Sequence, residues 1–101
     1  MKAIINRRLY DTTTAKKIGD HSNNLSASDF NHFSETLYRK RNGEFFLWGE
    51  GGPMTKYAEA DGNMTCSGFA IIPMEIEEAK DWVEAYLSAD TYIELFGEPE
   101  E

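Results

Sequence analysis

Few side chains in this 101-residue sequence could do covalent or metal chemistry, and their spacing does not favour it. His21 and His32 stand eleven apart, not at the i, i+4 spacing that sets two ligands on one helix face. Asp29 and the single cysteine, Cys66, could join them only by long-range folding, so neither a metal centre nor a Cys–His nucleophile is expected. Gly49-Glu50-Gly51-Gly52 is glycine-rich but fits neither phosphate-cradling loop pattern, and it follows a strand-like run where such loops open a helix. The expectation is a non-enzymatic protein that needs no cofactor.

What remains is chemistry by charge. The formal net charge is −8. Residues 1–56 carry nine Lys and Arg against six Asp and Glu, whereas residues 57–101 carry Lys80 alone against twelve acids. Glu75, Glu78, Asp81 and Glu84, with Glu77 beside them, recur every three or four residues. On a helix that places carboxylates about 5–6 Å apart, near the repeat of phosphates along a nucleic-acid strand. Such a row could act as a DNA mimic in the cationic channel of a nuclease, drawn in by long-range attraction. A merely solvated helix face is the plainer account of the same residues.

The second candidate is ETLYRKRNGEFFLWGEGG, residues 35–52. Arg39, Lys40 and Arg41 could meet phosphates while Tyr38, Phe46 and Trp48 stack on bases. Against that, the rings can be core with Arg39 lying over a neighbouring one. A chain so acidic repels a phosphate backbone, so direct nucleic-acid binding is the weaker reading.

These residues need elements to hold them. Asn42-Gly43 between two apolar runs reads as a two-residue type I′ hairpin that sets Tyr38 opposite Leu47 and Leu37 opposite Trp48. Lys2–Asn6 and Gly68–Ile72 read as strands. Asp11 or Thr12 to Thr14 could cap a short helix ending at Gly19, and a helical turn is expected over 28–34. Residues 20–29 and 49–65 read as loops. From Glu75 the period becomes 3.6, with Ile76, Ala79, Val83 and Leu87 in a stripe broadened by Trp82 and Tyr86. Ser88 or Asp90 then caps a second helix, Thr91–Phe96, which Gly97 ends.

The fold class expected is α+β: an antiparallel sheet of three to four strands, built round a central Asn-Gly hairpin and packed against a C-terminal amphipathic helix. One domain spans 1–97, with a frayed acidic tail at 98–101. No window reaches the roughly 20 apolar residues of a bilayer span. The N-terminus lacks the apolar segment of a signal peptide. The expected location is therefore the cytoplasm, with no membrane partner.

Taken together, LYDTTTAKKIG, ETLYRKRNGEFFLWGEGG, IIPMEIEEAKDWVEAYLSAD and LFGE resemble a group of small uncharacterised proteins from phages and mobile elements of Gram-positive gut bacteria. That group includes anti-CRISPR and anti-restriction inhibitors of host defence, many of them small, acidic and without enzymatic activity. The resemblance implies a stoichiometric inhibitor in the bacterial host cell, with a basic partner such as a nuclease or CRISPR effector. A homodimer, basic half of one copy against acidic half of another, is a third reading.

Overall fold

The computed structural model describes residues 1–26 and 28–101; Ala27, inside the expected loop 20–29, lies outside the described residues. Among the described residues, eight strands and two helices follow in the order β1 Lys2–Ile5, β2 Arg8–Asp11, β3 Lys16–Ser22, β4 Phe33–Arg39, β5 Phe45–Gly51, β6 Glu59–Asp61, β7 Met64–Cys66, β8 Gly68–Met74, α1 Ile76–Tyr86 and α2 Ala89–Phe96. The fold is α+β. Its centre is a four-stranded antiparallel sheet in the order β3-β4-β5-β8, with β1-β2 and β6-β7 as separate two-stranded ribbons.

Alternation along β4 and β5 explains the layering, because successive side chains leave opposite faces of a sheet. Leu37, Phe45 and Leu47 bury against Ala79, Trp82 and Val83 of α1, with Ile18, Ile72 and α2's Tyr92, Leu95 and Phe96 around them. Phe46 turns the other way and forms a second core with Tyr10 and Ile71, flanked by Ala3, Ile5, Tyr38 and Trp48. Helices therefore cover one face and the β1–β2 ribbon covers the other. Phe46, Leu37 and Val83 are the largest side chains fully withdrawn from water, each contributing roughly 1.5–3 kcal/mol by burial.

The chain from 8 to 22 forms strand, turn and strand where a short helix was expected. The backbone and side-chain oxygens of Asp11 accept from Ala15 N–H at 3.1 Å and Thr13 N–H at 2.9 Å, closing a turn. Asp and Thr oxygens serve caps and turns alike, and here pairing of Lys16–Ser22 with β4 decides between them. The expected helical turn over 28–34 is likewise a hydrogen-bonded turn at 29–32, after which β4 begins at Phe33. The expected loop 49–65 instead holds the end of β5 and most of the β6–β7 hairpin, with Asp61 paired to Met64 around Gly62-Asn63.

Asn42-Gly43 does not make the expected two-residue turn. Gly43 N–H donates to Lys40 O at 2.9 Å and Lys40 N–H to Glu44 O at 2.8 Å, and Gly43 has φ +92° while Asn42 stays out of the left-handed region. This is the three-residue loop form, an i to i+3 turn followed by a left-handed glycine. Asn42 instead commits its side chain to Glu44, receiving Glu44 N–H at 3.0 Å and donating to Oε1 at 2.8 Å. The register moves by one: Tyr38 faces Phe46 and Leu37 faces Leu47. One step of slip exchanges the faces of one strand relative to the other, which brings Leu37, Phe45 and Leu47 together under α1. The turn with two left-handed residues is elsewhere, at Asn6 (φ +52°) and Arg7 (φ +65°) between the paired Ile5 and Arg8.

Both C-terminal helices lie where the 3.6 period placed them. Ser88 caps α2 by accepting Thr91 N–H at 3.2 Å. We expect Ser88→Ala to cost about 1 kcal/mol, readable as a lowered urea midpoint with unchanged slope. Ile76, expected on the buried stripe of α1, is 53% exposed because the stripe that meets the sheet is Ala79, Trp82 and Val83.

Candidate functional site

Glu77, Asp81 and Glu84 are exposed on α1, at the i, i+4, i+7 spacing of one face. Lys80 stands beside them with its Nζ 3.8 Å from Glu77 and 5.8 Å from the Phe96 ring centroid, its stem partly covered. Glu75 and Glu78 are also exposed but serve the helix start: Glu75 is the N-cap residue, and its N–H donates to Glu78 Oε1 at 2.9 Å. Of the five acids singled out in the sequence, three are thus open surface and two are tied to the helix terminus. α2 adds Asp90 and Glu94 to the exposed carboxylates. Over residues 75–96 seven acids face Lys80 alone, so the helical layer is strongly anionic.

The basic-aromatic hairpin does not present a stacking platform. Phe46 is fully buried, and Tyr38 stacks on it at 5.3 Å with 12° between planes. Trp48 is half-buried, its indole N–H 2.9 Å from Met1 Sδ. Lys40 folds over the ring of buried Tyr10 at 3.6 Å, and only Arg39 and Arg41 of its cations are exposed. The rings therefore belong to the core beneath the β1–β2 ribbon.

A third constellation was not apparent from the sequence. Glu35 of β4 is 2% exposed. Its carboxylate accepts a short hydrogen bond from Tyr57 Oη–H, one from Trp82 Nε1–H at 3.3 Å, and an ion pair from Lys56 Nζ at 2.7 Å. Burial by itself would raise its pKa, but the hydrogen bonds from Lys56, Tyr57 and Trp82 outweigh burial and hold the carboxyl below its ordinary range. The Tyr57 phenol is pushed up, first by burial and then by the carboxylate it serves. Gly49, opposite Glu35 in the ladder, leaves the space that the Tyr57 ring fills; a Cβ there would overlap the phenol. With three donors on it and almost no solvent access, Glu35 is a clamp that ties the 52–58 segment and α1 to the sheet. One sequence signal could have found it: Glu35 lies two residues before core Leu37, and hence on the same buried face.

The remaining chemistry-capable side chains go to separate places. His21 stacks on Tyr86 at 3.8 Å, His32 Nδ1 lies 2.9 Å from Leu25 O, and Cys66 ends β7. No helix among the described residues is long and apolar enough to cross a membrane. Comparison with protein-family models, with curated proteins and with solved structures gives no match to this chain.

Proposed function

We propose that this protein is a non-enzymatic, protein-binding inhibitor that acts through the acidic face of its helical layer. The observation that carries the reading is the row Glu77, Asp81 and Glu84, exposed on a helix whose other side is anchored in the core by Ala79, Trp82 and Val83. A helix whose backbone is already fixed against the core loses little backbone freedom when its row of carboxylates binds. It suits a basic surface whose natural ligand is a polyphosphate. Together with the resemblance to small acidic proteins of phages and mobile elements, this favours a basic partner such as a nuclease or CRISPR effector, with the chain as its DNA mimic in the bacterial cytoplasm.

The test reverses the row while sparing the cap. The triple variant Glu77→Lys, Asp81→Lys, Glu84→Lys should keep its melting temperature within a few degrees, since surface changes away from special features move stability little. Native chain, immobilised and exposed to lysate of a Gram-positive bacterium, should retain a nucleic-acid-cleaving complex and block its cleavage of DNA or RNA. The triple variant should lose at least 100-fold in affinity for that complex, and binding of the native chain should weaken steeply with salt. Equal affinity of the two chains would overturn the reading.

A further inference from the structure

All four arginines of the sequence, Arg7, Arg8, Arg39 and Arg41, gather at the sheet end where two hairpins turn. Arg7 and Arg8 stand at the tip of the β1–β2 ribbon, and Arg8 pairs with Glu44 in the β4–β5 turn, which brings the two tips together. Lys40 and Arg41 belong to that turn, and Lys16 lies directly opposite Arg39 across the β3–β4 ladder. Arg8, Lys40 and Arg41, with the carboxylates of Asp11 and Glu44 and the side chain of Thr14, line an open cleft of about 580 Å³ between the ribbon and the turn.

Two of these placements are unfavourable for the isolated fold. Arg7 holds φ +65°, the left-handed region, where a side chain costs roughly 1–2 kcal/mol. Lys16 and Arg39 set like charges on facing residues, an arrangement that destabilises a ladder. A glycine and a neutral residue would serve folding better at both places. Strain of this kind points to a role outside folding, and both instances place a cation on the same end of the molecule.

We propose that this arginine pole binds the phosphate backbone of a nucleic-acid strand, as a second surface on the two hairpin tips, bordered by Glu75 and Glu78 where α1 starts. The rings at the pole lie beneath cations: Arg39 over Phe45 at 5.4 Å and Lys40 over Tyr10 at 3.6 Å, with both rings buried. Bases would therefore find no exposed ring to stack on, and the contact is with phosphates and independent of sequence. Leu9 is the single apolar side chain on the cleft wall. A protein partner would seek a buried apolar or aromatic anchor, whereas guanidinium groups suit phosphate oxygens bidentately. Glu44 positions the pole: Asn42, Lys40 and Arg8 all bond to it, and Asn42's hydrogen bond first, then Lys40, keep its carboxyl below the ordinary range. The overall charge of −8 opposes the approach, so the contact is short-ranged and strongly salt-dependent.

Fluorescence polarisation of a labelled 20-nucleotide strand, RNA and DNA in separate arms, tests this on the full chain at low salt. Saturable binding is expected, with log K falling against log salt at a slope of about −3, the value for roughly four phosphate contacts on a single strand. Arg39→Gln with Arg41→Gln should weaken binding at least tenfold and flatten the slope by about 1.4, with the melting temperature no lower than native, because the like-charge pair of Lys16 and Arg39 is relieved. Arg7→Gly should weaken binding while raising the melting temperature, because it removes both the cation and the strain. Absence of binding to either strand, Arg variants that bind as well as the native chain, or equal competition by polyglutamate of matched charge would each overturn the proposal. The Glu77, Asp81, Glu84 reversal leaves the pole intact, so failure of the inhibitor reading and failure of this one are separately visible.

Discussion

Replacing Glu35 by alanine is expected to destabilise the fold by about 3 kcal/mol, a large share of the 5–15 kcal/mol that holds a domain of this size. The carboxylate accepts from Tyr57, Trp82 and Lys56 while 2% exposed. Each hydrogen bond to a charged group is worth about 1.5–3 kcal/mol, and the Tyr57 and Trp82 donors would be left buried and unpaired. Lys56, whose side chain is 61% exposed, returns to water, which keeps the loss below the full cost of stranding a buried charge. Urea unfolding should show the drop, and limited proteolysis should open first within residues 52–58, because the clamp ties that segment down. An alanine variant within 1 kcal/mol of native would mean that the cluster holds nothing.

The same clamp sets a pH window. Glu35 titrates below its ordinary 4.5 in the folded chain, so the unfolded chain takes up the proton first as pH falls. Its stabilisation is complete above about pH 5 and drains away as pH drops through the folded value. Tyr57 titrates above its ordinary 10.0, so the unfolded chain loses the phenolic proton first as pH rises. That contribution is complete below about pH 10 and is lost above it. Glu35→Gln should flatten the acid limb and Tyr57→Phe the alkaline limb of a stability-against-pH curve, each leaving the other limb in place.

What could be read without coordinates followed the range of the signal. The 75–96 region carries its own period, its Ser88 cap and its terminal glycine within a few residues, so both helices were legible. β1 and β8 were legible from Ile4-Ile5 and from the apolar run 68–72. β3 was not: KKIGDHS has no strand pattern and becomes a strand by pairing along β4, with a register shift between Lys17 and Gly19. Asn42-Gly43 carries a strong turn signal, yet Asn42's side chain is better used on Glu44, and the left-handed pair forms at Asn6-Arg7, which advertises nothing. For the candidate surfaces, the acidic row was visible because helical spacing is local. The arginine pole was half visible, as Arg39 to Arg41, and its other half comes from a ribbon that only the fold brings near. Glu35 could be placed inside by parity, but its donors arrive from positions 56, 57 and 82.

Phe46→Ala should cost about 4 kcal/mol, the range for removing a fully enclosed phenylalanine ring without collapse of the site. The ring has no exposed surface, meets Tyr10 edge-on at 5.5 Å and Tyr38 face to face at 5.3 Å, and supports Ile71 beneath the β1–β2 ribbon. Because only this face holds the ribbon, the loss should be local as well as global. Amide exchange in β1 and β2 should accelerate far more than in α1, and the two hairpin tips should separate as Lys40 loses its seat over Tyr10. Leu37→Ala removes a side chain of equal burial from the opposite core and should cost 2–5 kcal/mol while leaving ribbon exchange close to native relative to the rest of the sheet. A Phe46 variant losing less than about 1.5 kcal/mol, or one whose ribbon stays as protected as in Leu37→Ala, would show that the second core does not hold the arginine-bearing ribbon in place. If the ribbon does loosen, Phe46→Ala should also weaken oligonucleotide binding at the pole without removing a single cation, which ties the buried ring to the surface above it.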